Sequence, residues 1–374
     1  MKITNVRSYQ LTGPLREGLA LFETPRGGLA PFESTPHRMA FTEIETDEGL
    51  IGLALGGSRA VVDLGQRLIG EDPMRIEYHW QQISASSYQR FSLLRSLSVL
   101  DMALWDLVGK AKDEPVYRLL GGHCRERIPA YAGMLGFSTD PRAAAERSVE
   151  YVEKGFPAVK WYLPYNATAG QEGLARNVAL IEAVREAVGD EVDIMLDCLL
   201  ANPTENSLLW AISLARRIEP YRPAWLEEPL NFDDIEAHRR LAQATRIPLA
   251  FGEHWYSRRQ FADLIASGAP TVLQPELLSC GGVTEMRKII TLASAYGIPV
   301  IPHANESGRM AAHVLFAQAP NVCPRAEWGV RLNHNAQFFY HDFYEPVNGF
   351  YELPPGPGMG LVLDESKVVE RIEL

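Results

Sequence analysis

Residues 192–229, VDIMLDCLLANPTENSLLWAISLARRIEPYRPAWLEEP, decide the fold. The stretch opens on a short apolar run that closes on Asp197, and it ends on a second run, AWL, that closes on the adjacent acids Glu227 and Glu228. Between them, NSLLWAISLARRIEPY carries apolar residues at helical spacing. The unit reads strand, helix, strand, and a helical crossover makes its two strands parallel.

The same rhythm continues on both sides. Candidate strands are IPAYAGM, AVKWYL, VDIMLDC, AWLEEP, PLAFGEH, TVLQPE, PVIPH and PRAEWG, spread over residues 128–329 and separated by helical segments such as NVALIEAVREAVG. That count in about 200 residues is the arithmetic of a βα barrel. A doubly wound open sheet is the rival, and the strand count and lack of a GxGxxG turn count against it. Upstream, residues 1–56 read as strands, with TDEG as a hairpin turn, and residues 60–120 as helices, most clearly in SLSVLDMALWDLVGKA. These make an α+β module. Residues 13–37, rich in Gly and Pro, read as a mobile flap; Arg16, Arg26 and His37 on it read individually as solvated surface residues, with contact to a ligand's hydroxyls or distal acid the alternative if the flap closes over a barrel mouth. After Gly329 the rhythm stops, and the tail ELPPGPGMGLVLDESKVVERIEL is expected to return to the N-terminal module.

Composition narrows the function. With 47 acidic against 36 basic residues and no dense Lys/Arg run, neither a nucleic-acid partner nor an anionic membrane surface is expected. The four cysteines are widely spaced with no CxxC pair, which suggests neither a disulfide framework nor a thiolate zinc site. The N-terminus has the alternation of a strand rather than the apolar core of a signal peptide, so a soluble, cytoplasmic protein is expected.

The strand ends carry the chemistry. In a parallel barrel all strand C-termini open on one mouth, which would bring together Asp197, Glu227 and Glu228, Glu253, Glu276, His303 and Glu327. An acid after a strand is, taken singly, most often a cap or a solvated turn residue. Taken together, Asp197, Glu227 and Glu253 would repel one another unless a hard divalent cation lay between them, and carboxylate oxygens suit Mg²⁺. One carboxylate of the Glu227–Glu228 pair should face that metal, with period-two alternation sending Glu228 away to a structural contact. His303 follows a strand ending in Glu276, an arrangement suited to a carboxylate–histidine dyad for general acid/base work. Glu327 is placed to donate a hydrogen bond if protonated. Lys160 and Tyr162 share one face of their strand, and a Tyr serves as acid or base only where cations, here Lys160 and the metal, depress it.

The combination of SVLDMALWDLVGKAKDEPVYRLLGG, MLDC, WLEEP, GEH, QPELLSCGGVTE, IPH and PPGPGMGLVLDESKV resembles the mandelate racemase subgroup of the enolase superfamily over essentially the whole chain. The resemblance implies an α+β capping domain (residues 1–127, flap at 13–37) on a (β/α)7β TIM-like barrel (128–329), with the tail (330–374) returning to the cap. It implies one essential Mg²⁺ held by Asp197, Glu227 and Glu253, His303 as acid/base supported by Glu276, and Glu327 assisting at the substrate carboxylate. A symmetric homo-oligomer, often an octamer, goes with it. Three positions depart from the subgroup's usual pattern. Its Lys-x-Lys motif reads Lys160-Trp161-Tyr162, which disfavours two-base racemisation; its dyad Asp is Glu276; and its Asp-x-Asn reads Asp197-Cys198-Leu199. Within the subgroup the chain is most similar to the rhamnonate-dehydratase-type branch. The expected activity is therefore Mg²⁺-dependent dehydration of a small-molecule sugar acid, an aldonate or aldarate, to a 2-keto-3-deoxy acid. Epimerisation, racemisation or lactone cycloisomerisation through the same enolate is the alternative, and a non-catalytic metal-binding barrel is the rival from another class.

Overall fold

A computed structural model describes residues 1–15, 22–23, 29–30, 36–87, 91–199 and 205–374. Arg16 and Arg26, and the flap positions around them, lie outside the described residues. The first strands are β1 (Ile3–Leu15), the two-residue pair β2 (Phe22–Glu23) and β3 (Leu29–Ala30), β4 (Pro36–Thr46) and β5 (Ile51–Leu55). β1, β4 and β5 lie side by side and antiparallel, so both described ends of the flap are strand. The TDEG turn between β4 and β5 closes through the Thr46 hydroxyl on the Leu50 backbone, with Gly49 at φ +78°. Helices α1 (Arg59–Gly65), α2 (Ile76–Ser87), α3 (Phe91–Lys112) and α4 (Val116–Leu119) back this sheet. α3 is the central one: Leu100, Ala103, Leu104 and Leu107, at i, i+3, i+4 and i+7, are all buried.

From Arg127 strands and helices alternate. They run β6 (Arg127–Gly133), α5 (Pro141–Glu153), β7 (Ala158–Tyr162), α6 (Gly170–Val188), β8 (Asp193–Asp197), α7 (Leu208–Ile218), β9 (Trp225–Glu227), α8 (Ile235–Ala244), β10 (Leu249–Phe251), α9 (Arg258–Ala266), β11 (Val272–Leu273), α10 (Gly282–Ala295), α11 (Gly308–Phe316), β12 (Ala326–Gly329) and α12 (Val330–Ala336). Parallel pairing follows the order β11-β10-β9-β8-β7-β6-β12, a curled sheet whose two ends are both near residues 300–303. That segment, PVIPH in sequence, forms only the isolated parallel bridges Leu273–Val300 and Glu276–His303. Pro299 and Pro302 supply no backbone N–H, which is why a run with strand-like sequence makes no continuous ladder. Two further strands close the chain: β13 (Phe350–Glu352) joins β6 antiparallel, and β14 (Glu370–Glu373) joins β1.

The interior of the curled sheet is layered by the two-residue period. Tyr131, Ala158, Met195, Trp225, Ala250, Val272 and Ile301, drawn from successive strands and from the 300–303 segment, pack into one apolar cluster. Two residues further along these strands stand Lys160, Asp197, Glu227, Gln274 and His303, which makes the next layer polar.

Candidate active site

That polar layer is the floor of the site. Lys160, fully buried, sends its ammonium to three carboxylates from three strands: Glu227 Oε1 at 2.6 Å, Glu327 Oε1 at 3.0 Å and Asp197 Oδ2 at 3.1 Å. Burial works against its charge, but Glu227 and Glu327 outweigh that and hold it well above the usual lysine range. Glu227 is further pinned through Oε2, which accepts from Trp225 Nε1 and Gln274 Nε2, both at 2.9 Å. Glu327 is pushed up by burial, yet Lys160 and His303 overcome this and hold it below the ordinary carboxylate range; its Oε2 accepts the Ala304 N–H at 2.7 Å. In this arrangement it accepts from Lys160 and from the Ala304 N–H.

Tyr162 shares Lys160's face, with the ammonium 5.3 Å from its ring centre. Burial drives its phenol well above the ordinary tyrosine range, Lys160 opposes the rise, and Glu327 and Asp197 add to it.

Above the floor, His303 Nδ1 lies 2.7 Å from Glu276 Oε2. Glu276 is longer than the aspartate of the related motif but still reaches, because its other oxygen is fixed by Ser307 Oγ at 2.8 Å and the Leu278 N–H at 2.9 Å. The second ring nitrogen, Nε2, meets Asn305 Nδ2 at 2.8 Å and Glu253 Oε2 at 3.1 Å. Burial would lower the imidazole, but Glu253, Glu327 and Glu276 raise it well above its ordinary value.

Glu228 differs from the expected outward contact. β9 ends at Glu227, and Glu228 takes the left-handed conformation at φ +40°, so the strand period does not carry its side chain outward. It stays buried, accepting the Gly252 N–H at 3.4 Å and lying 3.3 Å from His254 Nε2, which is itself 3.2 Å from Glu253. Glu228, Glu253 and His254 are the group whose ligand atoms lie within 4.8 Å of one another among the described residues. Glu253 therefore belongs both to this group and to the set read from the strand ends, while Asp197 and Glu227 face Lys160.

The donor set fits a hard divalent cation. Among the described residues, the ion pairs of Asp197, Glu227, Glu228, Glu253, Glu276 and Glu327 are with Lys160, His303 and His254. Burial first and then neighbouring acids push Asp197 and Glu228 well above the usual carboxylate range. A site short of positive charge and rich in carboxylate oxygen matches the preference of such an ion.

Glu253, Glu276, His303 and Asn305 open on a cavity of about 950 Å³, whose other walls include Arg38, Arg95, Leu135, Leu199, Leu278 and Asn335. Gln274, Trp225, Ser307 and Asn305 were not anticipated from sequence. The two-residue period, counted from Glu276, Glu227 and His303, points to three of them; Ser307 has no such signal.

Comparison with known proteins gives the same picture. Residues 143–367 match the family model for the enolase C-terminal domain-like fold, and residues 32–121 match that of the mandelate racemase/muconate lactonizing enzyme N-terminal domain. A candidate mandelate racemase from Bordetella bronchiseptica RB50, complexed with 2-oxoglutarate/phosphate, is 30% identical, with TM-score 0.84 over 99% of this chain and 98% of that one. L-rhamnonate dehydratase from Gibberella zeae is 29% identical, with TM-score 0.81 over 100% and 96%. An enolase from Bradyrhizobium, complexed with magnesium and mandelic acid, is 26% identical, with TM-score 0.83 over 100% and 98%.

Proposed function

Because the chain belongs to the enolase superfamily and to its mandelate racemase/muconate lactonizing enzyme family, we propose that it dehydrates a sugar acid in an Mg²⁺-dependent reaction. In this reading the curled sheet is a (β/α)7β barrel over residues 128–329, capped by residues 1–127 with the 330–374 tail. The observation that carries the reading is the His303–Glu276 contact at 2.7 Å, facing the cavity.

The chemistry follows from these side chains. Glu276 on Nδ1 fixes the imidazole tautomer and orientation, leaving Nε2 as the working nitrogen. A substrate bound in the cavity displaces the Asn305 or Glu253 contact and brings its C2–H to Nε2. The acids around His303 favour its imidazolium, and a cation held by Glu253 would offset the first of them and favour the neutral ring; in that form His303 takes the proton and becomes an imidazolium, which Glu276 stabilises. It then gives the proton to the C3 hydroxyl, which leaves as water. The resulting enol ketonises to the 2-keto-3-deoxy acid. With one group serving both transfers, the departing proton and hydroxyl lie on the same face, so the elimination is syn. Lys160 is engaged with three acids and burial raises the Tyr162 phenol, which argues against either as the second base that racemisation requires. Asp197, Glu227 and Glu253, with Glu228 and His254 adjoining, would hold Mg²⁺. Bound there, the cation supplies the positive charge that makes proton removal beside a carboxylate feasible.

The test is incubation with Mg²⁺ and a library of sugar acids in D₂O, followed by proton NMR. A new C3 methylene signal identifies a dehydratase, whereas exchange at C2 with no loss of water assigns racemase or epimerase chemistry. His303→Asn is expected to lose at least about a thousandfold in turnover while keeping Mg²⁺ affinity by calorimetry; unchanged turnover rules out the dyad mechanism.

A further inference from the structure

The cavity that holds His303 and Glu276 extends to the N-terminal sheet, where its wall includes Arg38 of β4 and Arg95 of α3. Both side chains are exposed to it. Neither guanidinium makes an ion pair or a hydrogen bond with any described residue. Lys160, by contrast, is engaged with its three acids. The acid nearest in effect is Glu306, also on the cavity wall. Its carboxyl is raised by burial and by Glu276, and His303 and Arg95 oppose the rise.

We propose that Arg38 and Arg95 form an anion subsite for a second carboxylate at the far end of the substrate, so that the sugar acid is an aldarate rather than an aldonate. The inference rests on the dehydratase reading for the identity of the reacting end. Its own basis is separate: two planar, permanently charged forks line the reaction cavity, and such forks suit a carboxylate. They also answer an electrostatic problem. A chain of net charge -11 repels a dianion at long range, and fixed local cations are what draw it in. The geometry divides the cavity by role, with proton transfer at the strand ends and recognition of the remote charge at the cap.

The test compares aldarates with aldonates of matched stereochemistry, using wild type, Arg38→Gln, Arg95→Gln and the double variant. Arg142→Gln, whose partner is Glu146 on the exposed face of α5, serves as the control. The expected result is a kcat/KM at least about tenfold higher for the aldarate, and a KM for it raised about tenfold or more in the double variant, with a smaller change in kcat. Equal turnover of the two classes by wild type, or equal losses for both in the double variant, overturns the proposal. If no sugar acid is turned over, the dehydratase reading fails and the subsite is decided by calorimetry with glutarate and butyrate. Preference for glutarate that disappears in the double variant, with circular dichroism unchanged, upholds the subsite; equal affinities overturn it.

Discussion

Lys160 is the residue on which the electrostatics of the site turn. Its ammonium, fully buried, links Asp197, Glu227 and Glu327, each from a different strand. Removing one member of such a cluster leaves the others as buried, uncompensated charges. Lys160→Met is therefore expected to cost about 3–5 kcal/mol, measured as a lower urea midpoint at unchanged slope. The cost should shrink as the pH is lowered and the orphaned carboxylates take up protons; a loss independent of pH would assign the effect to packing instead. The acids and Lys160 were legible because strand period and strand ends put them at one mouth. That Lys160 would bond all three was not, since the distances are set by curling of the sheet rather than by local sequence. Glu228 was misread for a local reason: its left-handed backbone breaks the alternation that the sequence argument used.

Among the elements, the short strands are accurate because their ends are locked individually. Gly252, between β10 and Glu253, has φ +149°, and a Cβ there would stand 2.6 Å from the backbone of Gln274. Gly252→Ala is expected to force β10 and β11 apart, shifting Glu253 and Gln274 together. It should lower metal affinity and stability at once, whereas a loss of only one of the two would contradict that coupling. α8 carries a different strain. Its fully buried His238 packs edge-on against Phe251, ring centres 4.4 Å apart, and burial lowers the imidazole from 6.5 to about 4. Below pH 6.5 the unfolded chain binds a proton that the folded chain refuses, so this contribution is present above 6.5 and lost as pH falls toward 4. His238→Leu is expected to flatten the acid limb of stability against pH by no more than roughly 3 kcal/mol, read from urea midpoints between those values; an unaltered limb would place the titration elsewhere. A histidine on the apolar face of a helix reads the same in sequence whether it titrates or is held neutral.

At the scale of the whole molecule, two seams join the N-terminal sheet to the curled one. At the first, the start of α10 is held by residues of α2 and α3: the Gly281 carbonyl accepts from Trp80 Nε1 at 2.8 Å, the Gly281 N–H donates to Ser98 Oγ at 2.8 Å, and the Thr284 N–H donates to Asp101 at 2.9 Å. At the second, the buried carboxylate of Asp106 accepts from the Leu53 N–H of β5 at 2.8 Å and from the Met359 N–H of the tail at 2.7 Å, while the Gly360 carbonyl takes Arg309 of α11 at 2.5 Å. The sequence suggested that the tail returns to the N-terminal module but not where it docks; Asp106, which takes the Met359 N–H, sits 253 residues away and had no local signal. Met359, completely buried, is the apolar pin of this second seam. Met359→Ala is expected to cost about 2–5 kcal/mol, and the location of the loss tests how the halves are coupled. Trp80 and Trp105 report on the N-terminal half, and Trp161 and Trp225 on the curled sheet, so single-tryptophan variants followed by fluorescence in urea separate the two. Coincident midpoints that move down together in Met359→Ala mean that the seams bind both halves into one cooperative unit. If the N-terminal probes move and those of the curled sheet do not, the tail stabilises the cap alone, and the cap can open over the cavity without unfolding the strands that carry His303 and Glu276.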